Sequence, residues 1–109
     1  MVKILVVCAM GISTSIFVEK VKKSFLKNQM DIKISAAPEI EVEDYINQTD
    51  YIFIAPQVAY AEEEVKELCK KYKKQMFLIP FDVYGSTDEK KIYDFIIKSL
   101  QIKNGGKNE

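Results

Sequence analysis

The chain opens on Val2-Lys3-Ile4-Leu5-Val6-Val7-Cys8-Ala9-Met10-Gly11-Ile12-Ser13-Thr14-Ser15, the stretch that most restricts what it can fold into. A short apolar run such as Val2–Val7 reads as a strand buried on both faces, as strands are in a parallel sheet. It ends on a cysteine. A loop of small residues with one glycine follows, and an amphipathic helix begins at about residue 13. Such a loop can curl its backbone N–H groups around an anion, and the helix N-terminus adds a positive dipole. The same field favours a thiolate at Cys8. A nucleophilic sulfur inside a phosphate cradle predicts chemistry through a cysteinyl-phosphate. Ala9, Met10, Gly11, Ile12, Ser13, Thr14 and Ser15 are the candidate cradle.

The rest of the chain alternates strand and helix. The helix over 13–26 places Phe17, Val18, Val21 and Phe25 on one face. Residues 31–36 alternate apolar and polar, as a half-exposed edge strand does. A weak helical stretch covers 42–47. An apolar strand over 51–55 stops at Pro56, and another over 76–79 stops at Pro80. Between them a helix over 59–72 carries Ala61, Val65, Leu68, Cys69 and Tyr72 on one stripe. The last helix is expected over 88–100, with Ser86 and Glu89 at capping-box spacing. Residues 104–109 read as a flexible polar tail, leaving 1–103 as one domain.

This alternation predicts a three-layer α/β domain with a four-stranded parallel sheet in the order 2-1-3-4. Ligands then bind at the carboxyl rim, where the strand order reverses, and that is where Cys8 falls. Residues 56–60 and 81–85 share the rim.

Composition narrows the chemistry. The 109 residues carry 16 basic and 16 acidic side chains, for a formal net charge of zero, so no nucleic-acid footprint is present. Every basic residue is a lysine, and histidine is absent. A histidine-dependent triad and an arginine clamp on phosphate are both excluded. Two cysteines without histidine do not supply an ordinary zinc site, and no metal or organic cofactor is called for. Cys8 and Cys69 read as reduced thiols, hence a cytoplasmic setting. No apolar segment approaches the roughly 20 residues needed to span a membrane.

Three segments carry a family resemblance. The loop Cys8-Ala9-Met10-Gly11-Ile12-Ser13-Thr14-Ser15, the segment Ala55-Pro56-Gln57-Val58-Ala59-Tyr60 and the pair Tyr84-Gly85 occur in the order and spacing of the lactose/cellobiose (chitobiose) enzyme IIB components of the sugar phosphotransferase system. The likeness covers residues 1–102 and departs at Ala55, where the family has glycine. It also departs near Asp82, where the family's aspartate before the Tyr-Gly pair has no secure counterpart. The chain therefore resembles a phosphoryl carrier on a low-molecular-weight tyrosine phosphatase-like fold. The resemblance implies that Cys8 takes phosphate from a phosphohistidine of enzyme IIA. Cys8 would then pass it to a β-linked disaccharide bound in the membrane enzyme IIC. It also implies that Gln57, Tyr60 and Tyr84 face these partners on the rim, and that the chain reaches the inner face of the membrane through enzyme IIC. A monomer suffices for this role, and the sugar itself is not written in the sequence.

Each residue also has a plainer role. Cys69 lies on an apolar stripe and reads as inert packing. Gly11 could supply a positive φ for a turn. Ser13 or Thr14 could cap the helix rather than touch phosphate. Tyr84-Gly85 reads as a turn and packing element, and 70–74 as a solvated helix end. Rival functions fare worse. A tyrosine phosphatase would place arginine where this chain has Thr14 and would use an Asp-Pro general acid, which is missing. A thioredoxin-like redox protein would want a second cysteine where Gly11 stands. A non-enzymatic domain on this fold gives no reason for a cysteine in the cradle.

Overall fold

The computed structural model describes the backbone of residues 1–108 and the side chains of residues 1–101. The polar tail expected at 104–109 lies outside the residues whose side chains are described. The elements run β1 (Val2–Val7), α1 (Ile12–Lys27), β2 (Ile32–Ala37), α2 (Val42–Tyr45), β3 (Tyr51–Ile54), α3 (Glu62–Tyr72), β4 (Gln75–Leu78), α4 (Phe81–Tyr84) and α5 (Glu89–Asn108). Short 3-10 turns occupy Glu39–Glu41, Ile46–Gln48 and Pro56–Ala61. The strands form one sheet in the order β2-β1-β3-β4, all parallel, as the alternation predicts.

Burial explains why β1 is central. Ile4 to Val7 are fully buried, since β2 and β3 flank the strand and helices cover both faces. Alternation along β3 turns Phe53 toward α5, edge-on to Phe95, and against Phe77 of β4. On that face α1 packs on α5, with Phe25 edge-on to Tyr93. Each such fully buried side chain contributes on the order of 1.5–3 kcal/mol of transfer free energy.

Register sets the functional rim. Val7 pairs with Ala37 on one side and with Ile54 on the other. Cys8 N–H donates to Ala37 O at 3.1 Å, Ala55 N–H to Val7 O at 2.8 Å, and Ile79 N–H to Ile54 O at 2.9 Å. β1, β3 and β4 therefore end level, and their following segments meet at one edge.

Two local expectations are corrected. The last helix is not capped by a Ser86–Glu89 box. Asp88 caps it, accepting from Lys90 N–H at 3.0 Å, while Glu89 pairs with Lys27 of α1 at 3.0 Å. The chain after Pro56 first forms a 3-10 turn, with non-helical φ/ψ at Val58, and becomes α-helical only at Glu62. Pro56 cannot donate an N–H but is well placed in a first turn, so it opens that segment at the very end of β3.

Candidate active site at the strand switch point

Cys8 follows β1 directly, and only 1% of it is exposed. Its thiol donates to Met10 Sδ at 3.5 Å. The loop turns sharply at Met10, whose φ is 62°, a left-handed value rare in a residue with a side chain. Gly11 has φ −120° and ψ −171°, so the positive φ expected there belongs to Met10 instead. A Cβ added at Gly11 would meet nothing within 4 Å. The glycine thus leaves bare backbone beside the loop rather than solving a conformational problem.

Helix α1 begins at Ile12 with Gly11 as its N-cap and no side-chain hydrogen bond to its first turn. Neither Ser13 nor Thr14 caps it; both lie inside the helix. The first-turn N–H groups of Ile12, Ser13 and Thr14 have no intrahelical acceptor and point out of the helix end. Together with the dipole they form an anion-favouring patch next to the sulfur. Ala9, Gly11, Ser13 and Ser15 are exposed around it.

Thr14 points the other way. It is buried, and its Oγ1 lies 2.9 Å from the Tyr84 hydroxyl. Tyr84 in turn stacks on Phe17 with centroids 4.8 Å apart. At 6% exposure Tyr84 is mostly packed inside, although it also lines a surface cavity with Gln57 and Phe81. It ties the first turn of α1 to α4. Lys20 adds a second tie, donating to Ser86 O at 2.8 Å.

Gln57 is exposed and shares a surface cavity of about 320 Å³ with Ser13, Ile16, Lys20, Phe81, Tyr84 and Gly85. Tyr60 is 75% exposed, with its hydroxyl beside the Glu39 carboxylate, which pushes its ionisation up. Asp82 faces Lys91 of α5 at 2.9 Å, and the Lys91 ammonium holds its carboxyl below the usual range. Held ionised, Asp82 is poorly suited to give a proton to a leaving group.

The sequence reading missed one feature. Large apolar side chains stand exposed on each segment that leaves the rim: Met10, Ile12 and Ile16 after β1, Ile40 after β2, Tyr60 after β3 and Phe81 after β4. The available signal was isoleucines lying off the apolar faces of their elements.

Cys69 is buried on α3, and burial pushes its thiol up to about 11. The folded chain therefore holds this proton more tightly than the unfolded chain, whose cysteine titrates near 8.5. Stability from this group is complete below that pH and is lost as pH rises through about 11. Urea midpoints at pH 8 and 10.5 should show a larger drop for the wild type than for Cys69→Ala; equal drops would contradict the burial argument.

Among the described residues, no helix is long and apolar enough to cross a membrane. The family model for the lactose/cellobiose-specific IIB subunit of the PTS (phosphotransferase) system matches residues 3–103. The oligo-beta-mannoside-specific EIIB component of Bacillus subtilis (strain 168) is 30% identical over 94 residues, covering 86% of this chain and 91% of that one. The galactose-specific EIIB component of Lactococcus lactis subsp. cremoris (strain MG1363) is 30% identical over 86 residues, covering 74% and 75%. Among solved structures, the lactose-specific IIB domain from Streptococcus pneumoniae superposes with a TM-score of 0.80 at 18% identity, covering 89% of this chain and 95% of that one, a likeness of fold. On the match over residues 3–103, the chain belongs to the lactose/cellobiose-specific IIB family and is a phosphotransferase component of a sugar-specific PTS.

Proposed function

We infer that the chain is a phosphoryl carrier whose acceptor atom is Cys8 Sγ. The observation behind this is a thiol at the strand switch point, followed in the chain by the uncapped N-terminus of α1. The donor is a phosphohistidine of enzyme IIA. As the thiolate attacks in line, the S–P bond forms and the N–P bond of the phosphohistidine breaks. N–H groups of residues 9–14 hold the equatorial oxygens while charge spreads over them. In the second step a sugar hydroxyl, held by the membrane enzyme IIC, attacks phosphorus. Its proton passes to enzyme IIC or to solvent, and the S–P bond breaks to return the thiolate. Sulfur suits both steps, being a strong nucleophile and a good leaving group.

The exposed apolar rim of Ile12, Ile16, Ile40, Tyr60 and Phe81, with Gln57 among them, supports docking of enzymes IIA and IIC over Cys8 in turn. The chain acts as a monomer in the cytoplasm and meets the membrane through enzyme IIC. The sugar belongs to the β-linked disaccharides, the class shared by cellobiose, chitobiose and lactose; galactose, named for one relative, is the competing monosaccharide.

A hydrolytic reading has less behind it. The position where phosphatases carry arginine holds Thr14, whose hydroxyl is engaged by Tyr84, and the nearby Asp82 carboxylate is committed to Lys91. Purified protein should therefore show negligible turnover of p-nitrophenyl phosphate, and its phosphorylated form should persist for many minutes in neutral buffer. Membranes bearing the cognate enzyme IIC should discharge it rapidly with cellobiose, chitobiose or lactose, and not with galactose. Steady aryl-phosphate hydrolysis lost in Cys8→Ser would instead mark a phosphatase, and rapid discharge by galactose would overturn the disaccharide class.

A further inference from the structure

We propose that Met10 is an access-controlling residue for Cys8: its thioether closes the sulfur to small solvent-borne electrophiles and must swing aside before any group reaches it. The geometry is specific. Cys8 lies only two residues from Met10, yet one is 1% exposed and the other 53% exposed. The two sulfurs stand 3.5 Å apart, so the methionine side chain folds back over the thiol on the solvent side. What folds it back is the left-handed turn at φ 62°. Glycine would take that conformation freely, and it occupies the very next position, where φ is ordinary. The loop thus keeps a side chain at the costly position.

The chemistry of the cover suits a movable one. An unbranched thioether has several rotatable bonds and leaves no buried polar group behind when it moves. A groove of about 250 Å³ beside it, bordered by Gly11, Thr14, Ser15, Val18 and Ala36, offers somewhere to go. Met10 is itself half exposed, so an apolar partner face resting on the loop gives it a replacement contact. That consequence rests on the carrier reading above. The shielding itself does not.

Iodoacetamide tests the shielding on the free protein at neutral pH. Sulfur forms the S–C bond, iodide leaves, and the thiol proton goes to solvent. Peptide mass mapping follows Cys8, with buried Cys69 as an internal standard for global opening. In Met10→Gly and Met10→Ala, alkylation of Cys8 should rise roughly tenfold or more, equivalent to about 1.4 kcal/mol less opening cost. Cys69 should not change. Met10→Leu, which keeps the bulk without the sulfur, should stay within about twofold of wild type. Unchanged Cys8 rates in the glycine and alanine variants would overturn the proposal. So would Cys8 and Cys69 accelerating together, or a leucine variant as reactive as alanine. No phosphoryl donor takes part, so a failure of the carrier reading would leave these rates as stated.

Discussion

Cys8→Ser should abolish transfer of phosphate to sugar, whereas Cys69→Ser should retain most of it. Serine keeps the size and the place of the acceptor atom but not its chemistry. A hydroxyl is far less ionised at neutral pH than a thiol, and the chain has no histidine to activate it. It would also be a poorer leaving group in the second step. The loss should be on the order of a thousandfold or more, since the nucleophile itself is removed. Cys69 lies on α3 in the apolar core, and its thiol is held protonated by burial. Its replacement should cost stability rather than transfer. Sugar phosphorylation by the reconstituted system reads both variants, and equal losses would remove Cys8 from its assigned role.

The second large effect concerns Tyr84. Tyr84→Ala should destabilise the fold by about 3–5 kcal/mol, as loss of a buried aromatic does. That is a large share of the roughly 5–15 kcal/mol typical of a domain. The ring fills space against Phe17, and its hydroxyl satisfies the buried Thr14. Tyr84→Phe isolates the hydrogen bond. It should cost only about 1 kcal/mol, because Thr14 can turn its hydroxyl to a carbonyl of the preceding turn. Thr14→Val combined with Tyr84→Phe should cost less than the two single changes summed, since one bond is lost only once. Urea unfolding gives all three values. Amide exchange at Ser15, whose N–H donates to Gly11 O, should quicken in Tyr84→Phe, because the tie holds the first turn of α1. Strict additivity, with exchange unaltered, would mean that the bond does not brace the cradle.

The parts of the fold legible in the sequence are those written in local pattern. The apolar run at Val2–Val7, the stops at Pro56 and Pro80, and the helical spacing of Phe17, Val21 and Phe25 give the element order, and handedness then gives the strand order. What stayed hidden depends on contacts between distant residues. Thr14 and Tyr84 are 70 positions apart, and nothing in either neighbourhood announces a shared hydrogen bond. The positive φ at Met10 runs against steric preference, so the glycine beside it drew the expectation instead. Asp88 and Ser86 both have cap chemistry, and the choice between them follows from where Glu89 finds Lys27 on α1. The exposed isoleucines at 16 and 40 fit no local apolar face, and only the assembled rim gathers them with Tyr60 and Phe81.

Peptide mapping of the chain after incubation with phosphorylated enzyme IIA decides where the phosphate travels. One phosphoryl group should be found, on the peptide containing Cys8, and it should disappear when enzyme IIC membranes and a β-linked disaccharide are added. Phosphate on any other side chain, or a Cys8 phosphate that sugar fails to discharge, would contradict the carrier mechanism.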